Sequence, residues 1–222
     1  MQQWIDIDTP HGPVRGWRAD PTGPSKGAVL VIQEIFGVNA HIRGVAGRLA
    51  DAGFVALAPA LFDVVEHGVE LDYDNAGIER GRALVAALGI TRAMDVLNAA
   101  VETLQMEGLR VGAVGFCWGG SLAFLCATRL SIPAVDYYGA RSVPFLDEPA
   151  GAPLMMHFGA DDPSIPPADV DKHRKAQPQA QVFVYDGAGH AFNRDVDPKA
   201  HAPAAAATAW QRTTDFFEAN LR

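Results

Sequence analysis

The sequence predicts an α/β protein with a mostly parallel central sheet and helices on both faces. Three observations carry this. Short apolar runs rich in Val and Ile alternate with longer segments of helical periodicity. Most of those runs are continuous, as in strands covered on both faces. The chain has 222 residues and is 49% hydrophobic, enough for one substantial core, and it reads as a single domain over residues 1–222.

The elements follow in order. Trp4–Asp8 and Val14–Arg18, joined around Pro10 to Pro13, read as a hairpin at a sheet edge. Ala28–Gln33 is a β-branched run, and Phe54–Ala58, Val111–Gly115, Ala134–Tyr138, Leu154–Gly159 and Val182–Tyr185 resemble it. Between them, His41–Ala52 follows Asn39, a good N-cap. Ile78–Leu88 and Thr91–Gln105 form two more helices, the second with Met94, Leu97, Val101 and Leu104 on one face. Gly119–Thr128, Ala168–Lys175 and Ala204–Asn220 complete the set. The longest irregular stretch, Pro59–Asn75, is long enough to suggest a functional loop.

Composition narrows the function classes. Eighteen basic against 26 acidic residues leave a formal charge of −8, and no Lys/Arg-rich run interrupts it. Nucleic acid and anionic membrane surfaces are therefore poor partners, and a small molecule is the expected one. No window approaches roughly 18 uninterrupted apolar residues, and the start, M-Q-Q-W-I-D-I-D, lacks the n- and h-regions of a signal peptide. Two cysteines make no disulfide framework, and no Cys/His spacing suggests a metal. The expectation is a cytoplasmic protein, monomeric or a small homo-oligomer, without metal or cofactor.

The chemistry gathers at G-F-C-W-G-G, Gly115 to Gly120, between a predicted strand and a predicted helix. This is the context of a nucleophile elbow, a turn so tight that its flanks must be glycine. Cys117 would stand at the positive end of the helix, which favours a thiolate. A cysteine packed under a glycine-rich turn is the competing reading, and it leaves the flanking strand and helix unexplained. Cys126, within the helix, reads as core. A thiol nucleophile needs a base, and His190 lies in D-G-A-G-H-A-F after the last predicted strand. The acid that orients it is open among Asp161 and Asp162, in A-D-D-P-S-I-P, and Asp136, in A-V-D-Y-Y-G.

Q-E-I-F-G-V-N (Gln33 to Asn39), G-F-C-W-G-G, G-A-D-D-P-S-I-P (Gly159 to Pro166) and G-H-A-F-N-R (Gly189 to Arg194) together resemble the dienelactone hydrolase family. The match in order and spacing runs from about Ala28 to the C-terminus. The resemblance implies an α/β-hydrolase fold and a triad of Cys117, Asp162 and His190. It implies that Glu34 holds the resting thiol, where like charge would oppose the thiolate. It implies an oxyanion hole from the backbone N–H groups of Ile35 and Trp118. It also implies two arginines gripping a substrate carboxylate: Arg194 and, by register, Arg82, with Arg80 nearby. The aromatic residues the family carries after that first arginine fall on Ala86 and Gly89, and Trp118 replaces a smaller aliphatic, so the pocket is expected to be reshaped.

The function expected is a cysteine hydrolase opening a small carboxylate-bearing lactone through a thioester acyl-enzyme. The alternative keeps the machinery for other carboxylic esters or thioesters. A redox sensor or an idle binding protein is a further alternative. It lacks a resolving cysteine by spacing and leaves the Asp/His pair without a task.

Overall fold

Alternating side chains at the start of the chain fold as an antiparallel hairpin. In this computed structural model, which describes residues 1–221, β1 (Gln2–Ile7) and β2 (Val14–Ala19) pair from Gln2 against Ala19 to Ile7 against Val14. Beyond β2 the β-branched runs take over. β3 (Ala28–Ile32) and β4 (Val55–Pro59) are buried at every residue, and they run parallel to each other while β4 runs antiparallel to β2. These strands stand in the order β1-β2-β4-β3 in the first of two units, residues 1–112 with Leu221.

The second unit, residues 113–220, has the order β5-β6-β7-β8, parallel throughout. β5 (Val111–Phe116), β6 (Ala134–Tyr137) and β7 (Leu154–Gly159) are fully buried, as their apolar runs demand. β8 (Gln181–Tyr185) departs from the expectation of a strand covered on both faces. Only Tyr185 of its residues is buried, because β8 pairs with β7 alone and stands last in the order.

The helices start where their caps allow. Asn39 caps α1 (Ala40–Asp51) by accepting a bond from the Ile42 N–H at 3.3 Å. Asp74 caps α2 (Asn75–Met106) by accepting one from the Gly77 N–H at 2.7 Å. α2 is the two expected helices in one run, broken at Gly89, whose φ of 73° and ψ of 159° belong to neither. The expected loop Pro59–Asn75 is shorter than the sequence suggests, since Leu61–Val64 form a 3-10 turn and Glu70 bridges to Gly37. Among the described residues α2 is the one helix long and apolar enough to cross a membrane. Its break and its buried Leu84, Leu88, Val96 and Leu97, packed in the first unit against β3 and β4, are those of a core helix. α3 (Trp118–Arg129), α4 (Pro167–Ala176) and α5 (Pro203–Leu221) match the remaining expected helices to within a residue or two.

The break at Gly89 is a backbone requirement, because nothing lies within 4 Å of where its Cβ would stand. Side chains avoid that conformation at a cost of about 1–3 kcal/mol. Gly89→Ala is expected to lower unfolding free energy in urea by about that amount. Gly23→Ala, equally open and without a positive φ, should stay within about 0.5 kcal/mol of wild type.

Candidate active site

The second unit is built around one turn. A Cβ on Gly115 would lie 1.8 Å from the Gly119 carbonyl oxygen, and one on Gly120 would lie 2.3 Å from Asp136 Oδ1. Only glycine permits so sharp a passage from β5 into α3. Between them Cys117 is held at φ 55°, ψ −117°. That conformation is costly for a residue with a side chain and persists only where its surroundings enforce it. Two backbone bonds do so: the Cys117 N–H donates to Tyr137 O at 3.0 Å, and Cys117 O accepts from the Gly120 N–H at 3.0 Å. The side chain is left half-buried at the first turn of α3.

The loops after β7 and β8 bring the other two groups. Gly159 lets the first loop approach the second, since a Cβ there would lie 2.3 Å from Ala188 O. The Asp161 N–H pins the contact by donating to Ala188 O at 2.9 Å. Of the three candidate acids, Asp162 is the one that meets the histidine, with Oδ2 2.7 Å from His190 Nδ1. Its other oxygen accepts from the Ser164 N–H at 2.8 Å, so the carboxylate is fixed at both ends. Asp161 is exposed, and Asp136 lies buried beneath the elbow. With Nδ1 engaged, the second ring nitrogen of His190 is left for its hydrogen bond with Cys117.

Electrostatics separate these groups from their neighbours. Burial works against a charged His190 ring, but hydrogen bonds to Asp162 and Cys117, aided by their charges, raise it to about 10. Burial alone pushes the Cys126 thiol up to about 12, so it is inert at neutral pH. Behind the loop, Phe192 sits against Tyr137, Tyr138 and Tyr185, with centroids 6.1, 5.4 and 5.2 Å away. The Tyr138 ring also lies 5.2 Å from that of His190. The sequence reading passed over Tyr138. Its signal was the aromatic pair before Gly139 in the stretch quoted for Asp136 alone. Trp118 is buried at the first position of α3. Arg194, in the His190 loop, is buried and donates to Asp197 at 3.2 Å.

In the first unit Glu34 and Ile35 follow β3, and Glu34 is wholly buried. Their segment is held by close backbone approaches. A Cβ on Gly37 would meet Val69 O at 1.9 Å, and one on Gly81 of α2 would meet Ile35 O at 2.2 Å. The Gln33 amide spans the same segment, donating to Glu34 O and accepting from the Leu61 N–H, each at 3.2 Å. Arg82 therefore leaves α2 one residue from the contact with Ile35, and it is exposed. Arg80 is ion-paired with Glu66.

A model of the dienelactone hydrolase family matches residues 14–221. A Synechocystis protein provisionally named a carboxymethylenebutenolidase is 35% identical, over 98% of this chain and 96% of its own. The carboxymethylenebutenolidase of Pseudomonas putida is 33% identical, over 98% of this chain and 96% of its own. Among solved structures, a Klebsiella pneumoniae protein provisionally described as a dienelactone hydrolase is similar with a TM-score of 0.86 and 28% identity, covering 98% of each chain.

The raised His190 makes stability pH-dependent. The folded protein keeps the imidazole proton to about pH 10, whereas an ordinary histidine loses it near 6.5. Between those values the folded state binds more protons than the unfolded one, so this contribution is complete below 6.5 and fades as pH rises to about 10. Asp162→Asn should remove the part that Asp162 supplies and leave the part due to Cys117. In urea denaturation at stepped pH, the gap between wild type and variant is expected to be widest at the acid end and to narrow towards pH 10.

Proposed function

Because the chain belongs to the dienelactone hydrolase family and is a hydrolase of lactone and ester bonds, we propose that it works through Cys117 as nucleophile. In this reading His190 is the acid–base and Asp162 its orienting carboxylate. The observation that carries the reading is the unbroken run of hydrogen bonds from Asp162 through His190 to Cys117, with the cysteine strained at the turn before α3. An idle structural cysteine needs neither the strain nor the partner.

The steps follow from the groups. Cys117 acts as the thiolate of an ion pair in which His190 already holds the proton, an imidazolium stabilised by Asp162, which stays ionised. The thiolate attacks the lactone carbonyl carbon. The oxyanion is received at the backbone N–H group of Trp118, with that of Ile35 carried over by the family resemblance alone. When the intermediate collapses, the ring oxygen leaves and takes the proton from His190, and the opened chain stays on sulfur as a thioester. Neutral His190 then draws a proton from water, hydroxide adds to the thioester, and the acid is released as the ion pair is restored. Glu34 is carried over by its Q-E-I-F-G-V-N motif alone, as a charge that opposes the idle thiolate.

For the substrate, the proposed class is a small lactone bearing a carboxylate, for which the family resemblance supplies Arg82 and Arg194. The ion pair of Arg80 with Glu66 supports Arg82 over its neighbour. Thiol chemistry suits a reducing compartment, and the cytoplasm is the proposed setting. Neutral esters are the second reading, favoured by Ala86 and Gly89 standing where the family has aromatic residues.

Cys117→Ala is expected to cut hydrolysis across a panel of lactones and aryl esters by at least about 10³-fold. Intact-mass spectrometry of wild type with an activated ester should show a transient acyl adduct on Cys117. Turnover that survives the substitution refutes the mechanism. Arg82→Ala is expected to lower kcat/KM by roughly 10-fold for a carboxylate-bearing lactone and to spare a neutral aryl ester. Equal effects on both would favour the second reading.

A further inference from the structure

β7 carries a wholly buried histidine, His157, that the proposed reaction does not use. It stands in register with Tyr137 of β6 and Phe183 of β8, so its side chain shares a face of the sheet with those of Tyr137, Phe183 and Tyr185. The place of its proton follows from counting donors. Thr213 Oγ1 of α5 donates to Ala209 O at 2.9 Å, which uses the one proton of that hydroxyl. The two other groups on Oγ1 must therefore donate to it: Tyr137 OH at 2.7 Å and His157 Nε2 at 3.2 Å. With the proton on Nε2, Nδ1 of the neutral ring accepts from Tyr185 OH at 2.9 Å, and the Tyr185 oxygen accepts in turn from Arg212 Nη1 at 3.1 Å. The bonds run one way, from Arg212 through Tyr185 and His157 to Thr213.

These bonds hold the residues on which the site is seated. The Tyr137 ring lies 4.6 Å from that of His157, and the Phe192 ring lies 6.1 Å from Tyr137 and 5.2 Å from Tyr185. Phe192 is wholly buried and comes two residues after His190, with Ala191 between them at φ 61°. The loop that carries the imidazole is therefore anchored where Phe192 packs. The backbones of the same residues reach the rest of the site. Tyr137 O accepts from the Cys117 N–H at 3.0 Å, His157 O from the Tyr138 N–H at 2.9 Å, and Tyr185 O from the Ala160 N–H at 2.9 Å, at the start of the Asp162 loop. The charge that acts on His157 is Arg212, while Asp136, in register with Met156, belongs to the opposite pleat. Burial and that charge keep the ring neutral, with its proton affinity lowered to about 3.

We propose that His157 is a positioning residue for the acid–base: by tying Tyr185 to Thr213 and Tyr137, it holds the two rings against which Phe192 packs, and through Phe192 it sets where His190 stands. The proposal rests on the assignment of His190 as the partner of Cys117. His190 has to stay within hydrogen-bond reach of Asp162 on one side and of Cys117 on the other. A displacement of about 1 Å in such an arrangement costs up to about 100-fold in rate. His157 bonds to none of the three among the described residues, so it governs the chemical steps and leaves ligand binding to other groups. If Tyr137 or Tyr185 is released, Phe192 loses its seat and the bonds that keep the imidazolium lengthen, which lowers its hold on the proton.

The test begins with wild type, by nitrogen-edited NMR of histidine-labelled protein across pH 5–11. The ring whose Nδ1 signal moves in Tyr185→Phe should carry its proton on Nε2 and stay neutral throughout. A proton on Nδ1, or a charge on that ring within this range, overturns the proposal. Tyr185→Phe keeps the aromatic ring and removes one bond, whereas His157→Gln removes the imidazole and keeps a donor for Thr213. Each should lower kcat by about 10- to 100-fold with KM within about 2-fold, and bring the His190 midpoint below its wild-type value of about 10. Gln177→Ala breaks the bonds of another buried side chain of the same unit, to Leu146 O, Glu148 O and the Ala150 N–H. It should cost stability and leave kcat and the His190 midpoint in place. If the His157 and Tyr185 variants likewise lose stability but keep either kcat or that midpoint, the proposal is overturned, and Tyr185→Phe decides if His157→Gln does not fold. Failure of the catalytic reading looks different. The His157 ring would behave as described while Cys117→Ala kept its activity.

Discussion

The second unit depends on a few ångströms of missing side chain. Gly115, Gly120 and Gly139 leave no Cβ where β5 turns into α3, and the backbone of Gly119 and the carboxyl of Asp136 fill what they vacate. Cys117 inherits its positive φ from that packing rather than from its own preferences. A methyl group at any of the three would meet an oxygen at 2.4 Å or less. The strain is therefore maintained by the surrounding fold, chiefly by β6 running beneath it with Tyr137 O fixed to the Cys117 N–H. The strained position of Cys117 is a consequence of the sheet.

Charge is arranged by the same means. His157 and His190 are both largely enclosed, and burial lowers the proton affinity of each. Among the described residues His157 hydrogen-bonds to hydroxyls, Tyr185 OH at 2.9 Å and Thr213 Oγ1 at 3.2 Å, and burial, with Arg212 nearby, lowers its affinity to about 3. His190 meets the carboxylate of Asp162 at 2.7 Å and rises to about 10. One residue type becomes a neutral structural link in one place and a proton holder in another. The partner decides, and the partner is supplied by a different loop.

That dependence explains what the sequence could and could not disclose. Strand and helix alternation is local, so the elements were readable to within a few residues, including the interruption between Leu88 and Thr91 that Gly89 creates. The tight turn at Cys117 and the loop that carries His190 were readable because glycines mark the backbone about them. The acid was not readable from its own stretch. What singles out Asp162 is the approach of Gly159 to Ala188, a contact 29 residues long in sequence. The exposure of β8 was hidden for a similar reason, since Val182, Phe183 and Val184 look alike whether a strand has one neighbour or two. In the first unit Asp74 is a good cap by type, but Gly77 weakens the helical pattern after it. A Cβ at Gly77 would lie 2.0 Å from Asp72 O, so it is kept for space.

The two arginines proposed for the substrate, one in each unit, differ in a way that bears on the proposal. Arg194 is buried and its guanidinium is tethered to Asp197, so its direction is set before any ligand arrives. The backbone of Arg82 is fixed by Gly81 against Ile35 O, but the side chain is exposed and has no ion pair or hydrogen bond among the described residues. Ordering a free arginine on binding costs roughly 2 kcal/mol of rotamer entropy, which a charge-assisted bond to a carboxylate offsets. A ligand without the carboxylate has no such return and leaves Arg82 in water. On the proposed reading, freedom at Arg82 would favour carboxylate-bearing lactones by the arm that has to be ordered, while the proposed thiol chemistry stays open to neutral esters.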